Sequence, residues 1–162
     1  MKSPAVTFRD QAGAQMRGVM FKTVLVGADS SVTASRAVST AVELVKAVGG
    51  TLHVITAYKP PDPPRLDKLP EEFFDRVTDP ADLLLEELRA GISKEGVEAK
   101  YYPAAGDAAE AIVRVADQIG ADLIVVGNKG MKGVRRVLGS VPNSVAHHAN
   151  CSVLIVDTVS DS

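Results

Sequence analysis

The residues whose types and spacing could do chemistry lie in VVGNKGMKGVRRVLGS, 125–140. Here Gly127, Gly130, Gly133 and Gly139 are interspersed with Lys129, Lys132, Arg135 and Arg136. Glycine has no Cβ, so its backbone can take positive φ and approach a ligand closely. Consecutive N–H groups in such a loop form a nest for an anion, and a helix N-terminus just beyond adds partial positive charge. Ser140 is the expected start of that helix: Pro142 is tolerated in a first turn, and Val141, Val145 and Ala149 recur at i, i+4 and i+8. No Asp or Glu occurs from Leu123 to Val156. Phosphate is the natural guest of such a loop. The stretch lacks Gly-Lys-Ser/Thr at the offset of a Walker A sequence, and it lacks G-x-G-x-x-G, so the usual dinucleotide fingerprint is not indicated. Glycine-rich turns also occur for purely structural reasons, and each cation taken alone reads as a solvated charge. Position must therefore decide.

The remaining candidates are weaker. Asp29 follows an apolar run and reads either as a ligand contact or as a helix cap. His53 reads as an inward-facing strand residue. His147 and His148 are adjacent on a helix, so their side chains diverge by about 100° and cannot share one metal. Cys151 is the single cysteine; it excludes an internal disulfide and reads as a small hydrophobe.

Composition narrows the class. The chain has 162 residues, 46% hydrophobic and 23% charged, with net charge −2. Without the four loop cations the remainder carries −6, which argues against a duplex-DNA binder and for one local anion site. No apolar run approaches the ~18 residues of a membrane span, and the first twenty residues lack a secretory h-region. The expected location is the cytoplasm.

The elements that must position the loop follow from periodicity. Residues 1–20 show no sustained period and are expected to be a disordered extension, 21–158 one domain, and 159–162 a mobile tail. FKTVLVGA (21–28), TLHVITAY (51–58), VEAKYYPAA (97–105), ADLIVVG (121–127) and SVLIVDT (152–158) read as strands, nearly all apolar where both faces are buried. Between the first two, Ala37, Val38, Ala41, Val42 and Val45 have helical spacing. Asp29, Ser30, Ser31 and Thr33 are candidate caps at one end of this helix, and Gly49-Gly50 stops it at the other. A proline-rich loop runs from Lys59 to about Glu72, and a helical stretch broken near Pro80 continues to Gly96. Asp107 and Glu110 form a capping box for a helix that carries Ile112, Val115, Ala116 and Ile119 on one face and ends at Gly120. Strands alternating with helices imply an α/β fold with an open parallel sheet and helices on both faces. Such sheets bind ligands beyond the carboxyl ends of their strands, where the winding reverses. If the reversal lies between strands one and four, Asp29 and Gly127 face one crevice.

Taken together, GNKG at 127–130, MKGVRRVL and Gly139-Ser140 resemble the nucleotide motif of the universal stress protein family. VLVGADSSVTASRA and NSVAHHANCSVLIV resemble its first and last segments, and the likeness covers about residues 20–158. The family's ATP-binding branch has nine residues between its second and third glycines; this chain has eight between Gly130 and Gly139. The resemblance implies a Rossmann-like domain with five strands in order 3-2-1-4-5, usually a homodimer, here joined through Ser152–Thr158. Carried over residue by residue, Asp29 contacts the adenosine, Gly27 and Ala28 line the base, and Val54 and Val126 touch the adenine. Gly127, Asn128, Gly130, Gly139, Ser140 and Val141 surround ribose and phosphates. The guest is ATP, with Mg²⁺ possible, or cyclic AMP as in some actinobacterial members. A nucleotide-dependent regulator of stress response is the expected role. A slow ATPase or phosphotransferase and a dimeric interaction scaffold with incidental nucleotide are the alternatives. No catalytic residue is assigned, because the loop supplies cations but no carboxylate.

Overall fold

Five apolar runs become five parallel strands: β1 (Thr23–Gly27), β2 (Thr51–Tyr58), β3 (Ala99–Ala105), β4 (Leu123–Gly127) and β5 (Ser152–Val156). The computed structural model describes residues 20–29, 32–59, 80–128 and 140–158. Four helices alternate with the strands: α1 (Val32–Val48), α2 (Pro80–Lys94), α3 (Ala108–Ile119) and α4 (Ser140–His148). The sheet order is β3-β2-β1-β4-β5, as the resemblance implies. The chain therefore starts in the middle, winds to one edge through β2 and β3, and returns to fill the other side with β4 and β5.

Continuous apolar runs hide a division that only the folded sheet shows. Successive side chains of a strand point to opposite faces. Val24, Val26, Leu52, Val54, Leu123 and Val125 pack with Ala37, Ala41 and Val45 of α1 and with Leu85 and Ile92 of α2. Leu25, Ile55, Ile124 and Val126 pack on the other face with Ala109, Ile112, Val115 and Ala116 of α3 and Val145 of α4. Both layers are closed to water, which is the usual setting of a parallel sheet.

Local signals set most helix ends. The Asp107 side chain accepts from Ala109 N–H at 2.9 Å and Glu110 N–H at 3.2 Å, and Gly120 closes α3 with φ 63°. Other boundaries move for tertiary reasons. Pro80, read as a break, is the first residue of α2, where its missing N–H has no intrahelical partner to lose. Thr33 lies inside α1, whose first residue is Val32; Ser30 and Ser31 fall outside the described residues. Asp122, expected in a strand, stands before β4, where its carboxylate accepts from Lys22 N–H at 2.8 Å and Thr23 N–H at 3.1 Å. It thereby joins the amino ends of β1 and β4. β5 stops at Val156, two residues short of the expected Thr158, because Asp157 and Thr158 bond to Asn128. Among the described residues no helix is long and apolar enough to cross a membrane.

Candidate functional site

The winding reverses between β1 and β4. Val26 is level with Val125 and Gly27 with Ile55, so the segment Gly27–Asp29 emerges beside Gly127–Asn128 at the carboxyl end of the sheet. Open α/β sheets place ligands at this point, because the loops from the two strands part to opposite sides and leave a crevice.

Each candidate residue has a definite setting. A Cβ added to Gly27 would come within 2.9 Å of Ile112 Cδ1, so the glycine leaves room for α3. Ala28 is 8% exposed and its N–H donates to Ile55 O at 2.9 Å, carrying the β1–β2 ladder one residue past the strand. Asp29 is exposed, two residues past the end of β1. Gly127 is half-buried, and Asn128, the residue after β4, is buried. Val54 and Val126 are core residues on opposite faces of the sheet. Ser140 is the exposed first residue of α4 and Val141 is half-buried. Gly130 and Gly139, with Lys129, Lys132, Gly133, Arg135 and Arg136, lie outside the described residues. Among the described candidates, then, Gly27, Ala28, Asp29, Gly127 and Asn128 come together, while the two valines lie in the two core layers.

Three residues that sequence reasoning passed over also lie at this end. Thr56 follows Leu52 and Val54 on the α1–α2 face, next along β2 from Ile55. It is 5% exposed, and its Oγ1 is the one buried side-chain polar atom among the described residues that has no hydrogen-bond partner. Asp157 and Thr158 stand past β5, bonded to Asn128. The signal for Thr56 was present in the period-two alternation of β2. For Asp157 and Thr158 it lay in the matching positions of β4 and β5, visible only once the two strands are known to be neighbours.

Away from the crevice, His53 is buried against Tyr102, with Nδ1 2.9 Å from the phenol oxygen and the rings stacked at 5.6 Å. Burial lowers its pKa, and the nearby Lys100 charge lowers it further. Cys151 is half-buried, and desolvation raises its thiol pKa, with Asp117 and Asp122 adding to the effect. The expected buried small hydrophobe is thus only partly covered. Among the described residues no group of three His, Cys, Asp or Glu side chains could hold a metal ion.

Comparison with known proteins converges on one family. The profile of the Universal stress protein family matches residues 20–157. Universal stress protein Rv1636 of Mycobacterium tuberculosis is 36% identical over 144 residues, covering 85% of this chain and 97% of the relative. Among solved structures, a universal stress protein in complex with cAMP superposes with TM-score 0.65 at 33% identity, covering 86% of this chain and 98% of that one. A universal stress protein from Archaeoglobus fulgidus in complex with dAMP shares the fold, with TM-score 0.61 at 23% identity over 84% of this chain and 98% of that one.

Proposed function

The chain belongs to the universal stress protein family, and from that premise we propose that it binds an adenine nucleotide where β1 and β4 end side by side. The observation that carries this reading is the juxtaposition of Gly27–Asp29 with Gly127–Asn128 at the reversal of the sheet. The cAMP complex of a relative 33% identical supports the ligand class. In this reading Asp29, exposed two residues past β1, accepts from the hydroxyls of a ribose. The chain leaving Gly127 enters the glycine-rich stretch whose N–H groups suit phosphate. Gly130, Gly139, Ser140 and Val141 complete the phosphate end in this reading. Both ATP and cyclic AMP meet these requirements. Where ATP is the guest, Mg²⁺ would be held chiefly by the phosphates with water, its usual mode.

The role we assign is regulation through the bound nucleotide, with binding favoured over turnover. Hydrolysis needs a base or positioned water at the terminal phosphate and usually a carboxylate for Mg²⁺. From Leu123 to Val156 the sequence has none. A homodimer through β5 belongs to the same proposal: β5 is a sheet edge, and Leu154 on it is 37% exposed.

The direct experiment is mass spectrometry of the small molecules released when the purified protein is denatured. An adenine nucleotide in near-stoichiometric amount is expected. A different ligand in that amount would overturn the assignment.

A further inference from the structure

Asn128 is 3% exposed, and its backbone N–H and both side-chain polar atoms bond to the end of β5. Its backbone N–H donates to Val156 O at 3.1 Å. Its Nδ2 donates to Asp157 Oδ1 at 2.8 Å. Its Oδ1 accepts from the Thr158 N–H at 2.9 Å and from the Thr158 hydroxyl at 2.5 Å. Chemistry fixes the orientation of the amide: a backbone N–H only donates and a carboxylate only accepts, so oxygen must face Thr158 and nitrogen Asp157. Thr158 is itself 5% exposed, so its two bonds to Oδ1 are sheltered from competing water, while the bond to the exposed Asp157 is part-buried. The side chain that follows β4 is thus committed away from the crevice.

We propose that Asn128 is a positioning residue for the nucleotide site: by gripping Asp157 and Thr158 it fixes where the chain leaves β4, and the two residues after β5 thereby belong to the site. The proposal deepens the nucleotide reading and rests on it. A backbone nest works only if its N–H groups are held to within roughly 0.5 Å of their productive positions. Asn128 is the last described residue before the glycine-rich stretch, and its backbone is what this clamp holds. An aspartate at 128 would keep the acceptor for Thr158 but set a second carboxylate against Asp157. An asparagine at 157 would then supply the missing donor from the other side.

The test is that exchange. Equilibrium dialysis of labelled AMP, ATP and cyclic AMP is carried out on wild type, Asn128→Asp, Asp157→Asn and the double variant, well below each melting temperature. Asn128→Asp should weaken the nucleotide that wild type binds by about tenfold or more, because it sets a buried carboxylate at hydrogen-bond distance from a second one. Asp157→Asn alone should lose only about two- to threefold, since its amide can turn an oxygen toward Nδ2. The double variant should return to within about threefold of wild type. A double variant as weak as Asn128→Asp would show that Asn128 touches the ligand itself and would overturn the proposal, as would an Asn128→Asp that binds like wild type. If Asn128→Asp does not fold, the double variant decides alone: folded and within threefold upholds the clamp, folded and tenfold weaker overturns it. Wild type that binds none of the three removes the nucleotide reading itself, an outcome distinct from all of these.

Discussion

Buried polar side chains carry the sharpest residue-scale consequences. His53 is charged with difficulty in the fold: burial first, then Lys100, hold its pKa below the ordinary 6.5. The unfolded chain therefore binds a proton more readily than the native one. Stability linked to His53 is complete above about pH 6.5 and is lost as pH falls below it. His53→Gln, which leaves Tyr102 a partner and does not titrate, should flatten the fall in melting temperature between about pH 7.5 and 5.5. Parallel wild-type and variant slopes would contradict this. Thr56 makes the opposite case. Its buried hydroxyl has no partner among the described residues, and an unsatisfied buried hydroxyl costs about 1–3 kcal/mol. Thr56→Val, of nearly the same shape, should raise stability by about 1 kcal/mol in urea unfolding; a loss of stability would show that the hydroxyl is engaged.

At the scale of elements, the approach of the chain to β2 is the tightest point described. A Cβ on Gly50 would lie 2.5 Å from Phe21 O and 3.2 Å from Lys22 O. Both are backbone atoms, and the adjacent Thr51 N–H donates to Lys22 O at 2.7 Å. Gly50→Ala should therefore cost about 2–3 kcal/mol. Gly91 in α2 has nothing within 4 Å of the same added atom, so Gly91→Ala should stabilise by about 0.5–1 kcal/mol. Urea midpoints of the two variants must move in opposite directions; movement in the same direction would contradict the packing described. The same contrast explains what was legible beforehand. α3 was readable end to end, because Asp107, Gly120 and the Ile112–Val115–Ala116 stripe are local signals. The strands were readable as apolar runs, and their order through family likeness. The Asn128 clamp was not, because it joins residues some thirty positions apart and needs both the adjacency of β4 and β5 and the orientation of one amide. Which apolar side chain serves which core layer was hidden for a related reason, since a strand buried on both faces gives no polar alternation to read.

At the scale of the molecule, the two ends of the sheet differ in purpose. Asp122 ties β1 to β4 at the amino end, and the proposed nucleotide site lies at the carboxyl end of the same strands. The edge strand β5 serves both the proposed dimer and, through Asp157 and Thr158, the proposed site. Leu154→Lys on that edge should shift sedimentation at micromolar concentration from dimer toward monomer, because an edge charge opposes strand pairing. A wild type that sediments as a monomer at every concentration would remove the dimer. The central claim is the nucleotide. Calorimetric titration of the folded protein, stripped of small molecules, with ATP, ADP, AMP and cyclic AMP tests it most directly. Binding of at least one of the four with Kd below about 1 mM is the predicted result, equivalent to about −4 kcal/mol or better. Folded protein that binds none of them below that concentration would contradict it.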